Sequence, residues 1–123
     1  MYVTNDKPTV YFDVDSTLVF TQQENPSDNA QSHNIVWIGN REFFIHQPHV
    51  QAILDFAARG HNVIVWSQGG AAWAESVVRE LALTRYVQAC LSKPSWIFDD
   101  KPSRDWLPEG ARSYMDPCPE EKA

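Results

Sequence analysis

The most constraining stretch of this chain is an apolar run over residues 9–12 that ends at two carboxylates, Asp13 and Asp15. Such a run is typical of a buried strand of a parallel sheet, whose carboxyl end opens into a crevice. At an effective dielectric constant of about 20, two carboxylates this close repel each other by roughly 4 kcal/mol. A hard cation bound by oxygen ligands would offset that repulsion. The pattern by itself also fits an ordinary turn, so the interpretation depends on the rest of the chain.

The composition restricts the class of protein. With 123 residues, the chain is expected to form one domain over 1–123, and a hydrophobic content of 43% allows a packed core without disulfides. The net charge of −6 and the absence of a Lys/Arg run argue against strong nucleic-acid binding. Cys90 and Cys118 form no metal-binding pair. No apolar stretch is long enough to span a membrane, and residues 1–7 lack a secretion signal, so we expect a cytoplasmic protein.

Strand and helix patterns alternate after the first strand. In chain order, they predict a loop over 13–20, a hairpin over 35–45, a helix from Pro48 to Arg59, a strand at 63–66, a helix over 71–83, and strands at 87–91 and 96–98. Residues 21–34 are polar and predicted to form a surface excursion. We expect a loop over 101–110, with a helical turn near 103–107, and a final edge strand at 111–115.

This alternation predicts an α/β fold, a three-layer Rossmann-like parallel sheet with helices on both faces. Ligands of such sheets bind at the carboxyl ends of the strands. Three predicted strands end directly at polar residues, namely at Asp13, at Ser67, and at Asp99 with Asp100. We therefore expect these side chains to share one pocket.

At four short motifs the chain resembles hydrolases of the haloacid dehalogenase (HAD)-like superfamily. Asp13 to Thr17 match a strand followed by D-x-D-x-T, and Ser67 matches the second motif. Lys93 matches the third motif, and Asp99-Asp100 match the fourth. The resemblance covers about residues 9–102. It implies a HAD-like domain with a β-hairpin flap. The intervals between the motifs contain only a polar loop, the hairpin, two helices and one strand, so we expect no cap domain.

One departure concerns the lysine of the third motif. Lys93 precedes Asp99 by only six residues, whereas many relatives place a helix between these motifs. Lys101 therefore competes for the role, although it follows the acids. Lys93 is favoured because the superfamily's order puts the lysine before them.

The resemblance implies a role for each site residue. Asp13 would be the nucleophile that forms an aspartyl-phosphate, and Asp15 the general acid and base. Ser67 and Lys93 would hold the phosphoryl oxygens. The turn after Ser67 would add substrate contacts at Gln68 and Gly69, with the N–H groups of Gly69, Gly70 and the following helix start facing the phosphate.

The implied cofactor is Mg²⁺. It would bind the carboxylates of Asp13 and Asp99, the backbone carbonyl of Asp15, and Asp100 directly or through water. The default role of the remaining aromatic residues is structural. We expect surface positions for the histidines His33, His46, His49 and His61. In the hairpin, we expect a packing role for Trp37, Phe43 and Phe44. We expect three further tryptophans in the core, namely Trp66, Trp73 and Trp96.

The implied function is a Mg²⁺-dependent phosphatase acting on a phosphomonoester, since an acid at Asp15 favours phosphoryl transfer over dehalogenation. Two alternatives stay open: a non-catalytic binding module with the same fold, and a phosphotransferase that uses the same intermediate. The expected substrate is a small phosphorylated metabolite or a phosphorylated macromolecular end. Oligomerisation could close a capless site.

Overall fold

The structure is a computed structural model that describes residues 7–21 and 34–101. In chain order these residues form β1 (Thr9–Asp13), β2 (Val19–Phe20), β3 (Ile35–Ile38), β4 (Arg41–Ile45), α1 (Gln47–Ala58), β5 (Asn62–Ser67), α2 (Ala71–Glu80), a 3-10 helix (Thr84–Tyr86) and β6 (Ala89–Ser92). Most of the predicted excursion over 21–34 lies outside the described residues. So do the predicted helical turn at 103–107 and the edge strand at 111–115.

The central feature is a three-stranded parallel sheet with the order β1-β5-β6. Asp13 pairs with Trp66, and Ser67 pairs with Ser92, so the carboxyl ends of all three strands lie at one edge. The predicted α/β class, a parallel sheet flanked by helices, is thus confirmed.

The core lies between one face of this sheet and the two helices, so the predicted arrangement with helices on both faces is not seen among the described residues. Alternate residues of β5 are buried, as is Phe12 of β1, as expected for strands with one covered face. The same core cluster contains buried side chains of α1 and α2. These core residues are Phe12, Val63 and Val65 of the sheet, Ala52 and Ile53 of α1, and Ala74, Val77 and Val78 of α2.

The predicted hairpin is confirmed, with β3 and β4 paired antiparallel around Gly39-Asn40. It is part of a second sheet with the order β2-β4-β3, because Val19-Phe20 pairs with the end of β4. This two-residue strand falls in the stretch predicted as a loop. The loop after β1 therefore leads directly into the hairpin sheet. Phe43 and Phe44 are buried as expected, whereas Trp37 is exposed.

The predicted helix over 71–83 ends early, at Glu80. Ala82 has a φ of 59°, and its N–H group donates to the carbonyl of Arg79. The N–H group of Leu83 reaches back to the carbonyl of Val78, which completes a Schellman motif. Leu83 is thereby folded into the core, and β6 begins only at Ala89.

The predicted strand at 96–98 is wrong. Residues 93–99 form no helix or strand, and Trp96 and Phe98 are 84% and 96% exposed. Trp96 is therefore not a core residue, contrary to its predicted role. An apolar run becomes a strand only when another strand satisfies its backbone groups, and no described strand pairs with this one.

Two of the four histidines also depart from the prediction, since His46 and His49 are buried. They flank the start of α1, and their rings pack edge to face with centroids 4.3 Å apart. His46 also packs against Phe20 of β2. No helix in the described part of the chain is long and apolar enough to cross a membrane.

Candidate active site

Three of the sequence-predicted site residues meet at the carboxyl edge of the parallel sheet. Asp13 is the last residue of β1, Ser67 is the last residue of β5, and Lys93 directly follows β6. The N–H group of Lys93 donates to the carbonyl of Ser67 at 2.9 Å and so extends the pairing of the two strands. Strand register thus fixes the relative position of the three residues.

Lys93 is the lysine that contacts the first acid. Its Nζ lies 3.0 Å from Oδ1 of Asp13 and 6.0 Å from the centre of the Trp66 ring. Lys101 lies on the exposed segment after β6, where its backbone N–H donates to Asp99. Of the two candidates for the motif lysine, the structure brings Lys93 to Asp13.

The loop after β1 is held by its own backbone. The N–H groups of Thr17, Leu18 and Val19 all point at the carbonyl of Val14. Val14 and Leu18 are fully buried and anchor the loop in the core. Ser16 has a φ of 64°, an uncommon value for a residue with a side chain. This tight turn leaves Asp13 half-buried and Asp15 exposed on either side of Val14.

Asp13 is supported by Thr17, which is supported in turn by His49. The Thr17 hydroxyl donates to Oδ2 of Asp13 at 3.1 Å. Nδ1 of His49 lies 2.8 Å from the Thr17 carbonyl. A carbonyl oxygen only accepts hydrogen bonds, so Nδ1 must carry a proton. The buried start of α1 thereby fixes the turn that holds Asp13.

The second acid is contacted by a tryptophan of α2. The indole N–H group of Trp73 lies 3.2 and 3.3 Å from the two carboxylate oxygens of Asp15. Trp73 also packs against Phe43 of the hairpin, with ring centroids 5.6 Å apart. It therefore contacts both the loop after β1 and the hairpin sheet.

Ser67 is fully buried and organises the turn before α2. Its Oγ accepts the N–H group of Gly69 at 2.9 Å, and its carbonyl accepts the N–H group of Gly70. The two N–H groups expected to face a phosphate are thus directed at Ser67, while Gln68 is exposed. Gly70 has a φ of 106° and is the N-cap of α2, so Ser67 is not an ordinary helix cap.

The predicted metal ligands are only partly brought together. Asp13 and Asp15 lie at the sheet edge, and their oxygen donors suit a hard divalent cation. Asp99 and Asp100 lie on the exposed segment after β6. Among residues 7–21 and 34–101, no group of three or more His, Cys, Asp or Glu side chains is placed to hold a metal ion.

The thiol of Cys90, on β6, has a pKa above its ordinary value. Burial, with a further contribution from the charge of Glu75, raises the pKa of its thiol. A thiol that stays protonated at neutral pH is a poor nucleophile. Asp13 is therefore the better nucleophile candidate in this part of the fold.

The sequence matches the family model of the NLI interacting factor-like phosphatases over residues 8–105, which is well over half of the chain. The chain belongs to this family of phosphatases. These are HAD-like phosphatases with a capless domain, so the resemblance inferred from the four motifs is confirmed. The chain matches no curated protein and no solved structure.

Membership of this family makes the chain a phosphatase, and the match spans every residue that the four motifs single out. Sequence reasoning missed three contacts around the candidate site. Trp73 was assigned to the core, although its place in the first turn of the helix after Ser67 could have pointed to the site. His49 was assigned to the surface, and no motif or spacing links it to Thr17. The third missed contact is Ser92, whose Oγ accepts the N–H group of Ala71.

Proposed function

We propose that this phosphatase is a single HAD-like domain that hydrolyses phosphomonoesters through an aspartyl-phosphate on Asp13, with Asp15 as general acid and base. The observation that supports this most is the contact of Lys93 with Asp13 at the shared end of the strands. A lysine beside a carboxylate nucleophile lowers the repulsion that an incoming phosphate dianion would otherwise meet.

The reaction takes place in two steps. In the first, an Asp13 carboxylate oxygen bonds to phosphorus as the bond to the leaving oxygen breaks, and Asp15 gives that oxygen a proton. In the second, water attacks phosphorus, Asp15 takes a proton from the water, and the bond to Asp13 breaks. The products are the alcohol or phenol and inorganic phosphate, and both acids return to their starting state.

The residues around Asp13 serve the transferred phosphoryl group. The Lys93 ammonium, which contacts Asp13, would also bind a phosphoryl oxygen, where transition-state charge accumulates. Ser67 and Gly69, which are hydrogen-bonded to each other, shape the turn before α2, and Gln68 is exposed beside it. The positive end of the α2 dipole faces the same edge of the sheet.

We propose Mg²⁺ as the cofactor, bound by Asp13 and the Asp15 carbonyl, with Asp99 and Asp100 completing the ligand set. The ion would offset the negative charge shared by the acids and the phosphate. The oxygen chemistry of Asp13 and Asp15 fits this ion. For Asp99 and Asp100, the support is the order of the motifs along the chain rather than their position beside Asp13.

The test is hydrolysis of 4-nitrophenyl phosphate by the full chain, with Mg²⁺ or with EDTA. The wild type should turn over with Mg²⁺ and lose activity with EDTA. Asp13→Asn should lose about 10⁴-fold or more in kcat, because an amide cannot act as the nucleophile. Asp55→Asn is the matched control, since Asp55 lies on α1 and its Oδ1 accepts a hydrogen bond from Gln51.

The alternatives predict different outcomes. A folded sample that binds Mg²⁺ but hydrolyses no phosphomonoester would favour a binding module. A phosphotransferase would convert part of the substrate to glycerol phosphate when glycerol is added. For the physiological substrate, we propose a phosphorylated metabolite or macromolecular end in the cytoplasm. A panel of phosphorylated metabolites, peptides and oligonucleotides would distinguish these classes.

A further inference from the structure

Trp73 contacts Asp15, the second acid of the loop after β1, and none of the four motifs includes this tryptophan. Its indole N–H group lies within 3.3 Å of both carboxylate oxygens of Asp15, although the two residues are far apart in sequence. The contact connects the loop after β1 to the first turn of α2. A donor shared between two carboxylate oxygens restricts rotation of that carboxylate.

The indole is itself held in place by its neighbours. A side chain at Gly69 would bring a Cβ to 3.1 Å from Cδ1 of Trp73, so the ring packs closely against this glycine and would have to shift slightly for any other residue. Phe43 of the hairpin packs against the ring, and the guanidinium of Arg41 lies 5.1 Å from the Phe43 ring. The donor is therefore on a ring fixed by both the turn before α2 and the hairpin.

We infer that Trp73 is the positioning residue that orients Asp15 for proton transfer. This inference rests on the proposed role of Asp15 as general acid. Trp73 does not exchange a proton with the substrate. It holds the carboxyl group so that, as the bond from Asp13 to phosphorus forms and the leaving oxygen departs, the Asp15 proton lies on the path to that oxygen.

The test compares two substrates that differ in their need for a proton. 4-Nitrophenolate is a good leaving group and needs little protonation, whereas phenolate is a poor one and depends on the general acid. Trp73→Phe keeps an aromatic ring beside Phe43 but removes the donor. It should lower kcat/KM, which reports the first step, about tenfold on phenyl phosphate and much less on 4-nitrophenyl phosphate. The second step, in which Asp15 acts as the base, is the same for both substrates and does not enter this comparison.

Two variants separate positioning from packing. Trp73→His keeps a ring N–H group at a similar distance from the backbone, and it should restore part of the lost activity on phenyl phosphate. Trp37→Phe makes the same substitution at an exposed position of the hairpin. It should leave the ratio of the two rates unchanged. An equal loss on both substrates in Trp73→Phe, with no rescue by histidine, would overturn the inference.

Asp15→Asn separates a failure of this inference from a failure of the proposed function. If Asp15 is the general acid, kcat/KM of this variant should fall about 10²–10⁴-fold on phenyl phosphate and less on 4-nitrophenyl phosphate. If Asp15→Asn shows that discrimination and Trp73→Phe does not, only the positioning role fails. If neither variant discriminates, Asp15 is not the general acid and the inference is overturned together with that role.

A second measurement does not depend on how Trp73→Phe folds. The indole N–H resonance of Trp73 can be assigned in the wild type by through-bond NMR experiments. It should shift clearly in Asp15→Ala, whereas the resonance of Trp37 should stay in place. An unchanged Trp73 resonance would mean that the hydrogen bond is absent in solution, and the positioning role would be rejected.

Discussion

Two stretches of this chain have nearly the same local pattern and different structures. In each, an apolar run with a phenylalanine at its end leads into acids, at 9–15 and at 96–100. The first is a paired strand in which Phe12 is 8% exposed, whereas Phe98 in the second is 96% exposed. The difference lies in their partners, because β1 pairs with β5 along five residues and the second stretch pairs with no described strand.

The comparison extends to the acids themselves. Asp13 accepts a hydrogen bond from the Thr17 hydroxyl of its own loop. It also contacts the ammonium of Lys93, which follows another strand of the sheet. Asp99 accepts the backbone N–H group of Lys101, which is two residues away. A carboxylate positioned by tertiary contacts is fixed relative to the substrate pocket, whereas one held by a local turn moves with its own segment. The following predictions test this contrast.

The largest expected effect is on stability. Phe12→Ala should lower the free energy of unfolding by about 3–5 kcal/mol, because it leaves a cavity between the sheet and the helices. Phe98→Ala, at an exposed position, should change it by no more than about 0.5 kcal/mol. Urea unfolding followed by tryptophan fluorescence measures both. A large loss in Phe98→Ala would show that residues 96–98 are packed in solution.

The next effect distinguishes the two lysines. Lys93→Met should reduce kcat about 10²–10³-fold, because it removes the charge that stabilises the phosphoryl oxygens. Lys101→Met should stay within about threefold of the wild type, as expected for an exposed residue away from the reaction. Steady-state turnover of 4-nitrophenyl phosphate measures both. The reverse order of effects would assign the motif role to Lys101.

A smaller effect concerns the metal. Asp99→Asn should raise the Mg²⁺ concentration for half-maximal activity about tenfold, because a ligand with a negative charge is lost. Asp55→Asn, which removes a carboxylate on α1, serves as the control. Titrating activity against Mg²⁺ measures both. If the two variants match the wild type, Asp99 stays away from the ion and the ligands come from the β1 loop.

The smallest effect concerns the support of Asp13. Thr17→Val keeps the shape of the side chain and removes the hydroxyl that donates to Oδ2. We expect kcat to fall about three- to tenfold, which corresponds to about 0.7–1.4 kcal/mol, the range of one ordinary hydrogen bond. Stability should change little, because Thr17 is only half-buried. Unchanged kcat would mean that Lys93 alone is enough to orient Asp13.

Much of the fold could be predicted because its signals are local. The hairpin around Gly39-Asn40 follows from its turn residues, and α1 follows from Pro48 and the apolar stripe behind it. The convergence of Asp13, Ser67 and Lys93 follows from parallel strands that end at one edge. The family match covers the residues of all four motifs.

The strand–helix alternation, the class of fold and the residue types at the carboxyl edge of the sheet can all be recognised in the amino-acid sequence. Periodicity, turn residues and abrupt changes in polarity act over a few residues, so they can be recognised without a partner. Three features follow from the three-dimensional arrangement instead: residues 96–98 form no strand, His49 is buried against the β1 loop, and Trp73 reaches Asp15. Each depends on which surfaces meet, because strand pairing, burial and long-range hydrogen bonds are properties of two segments and not of one.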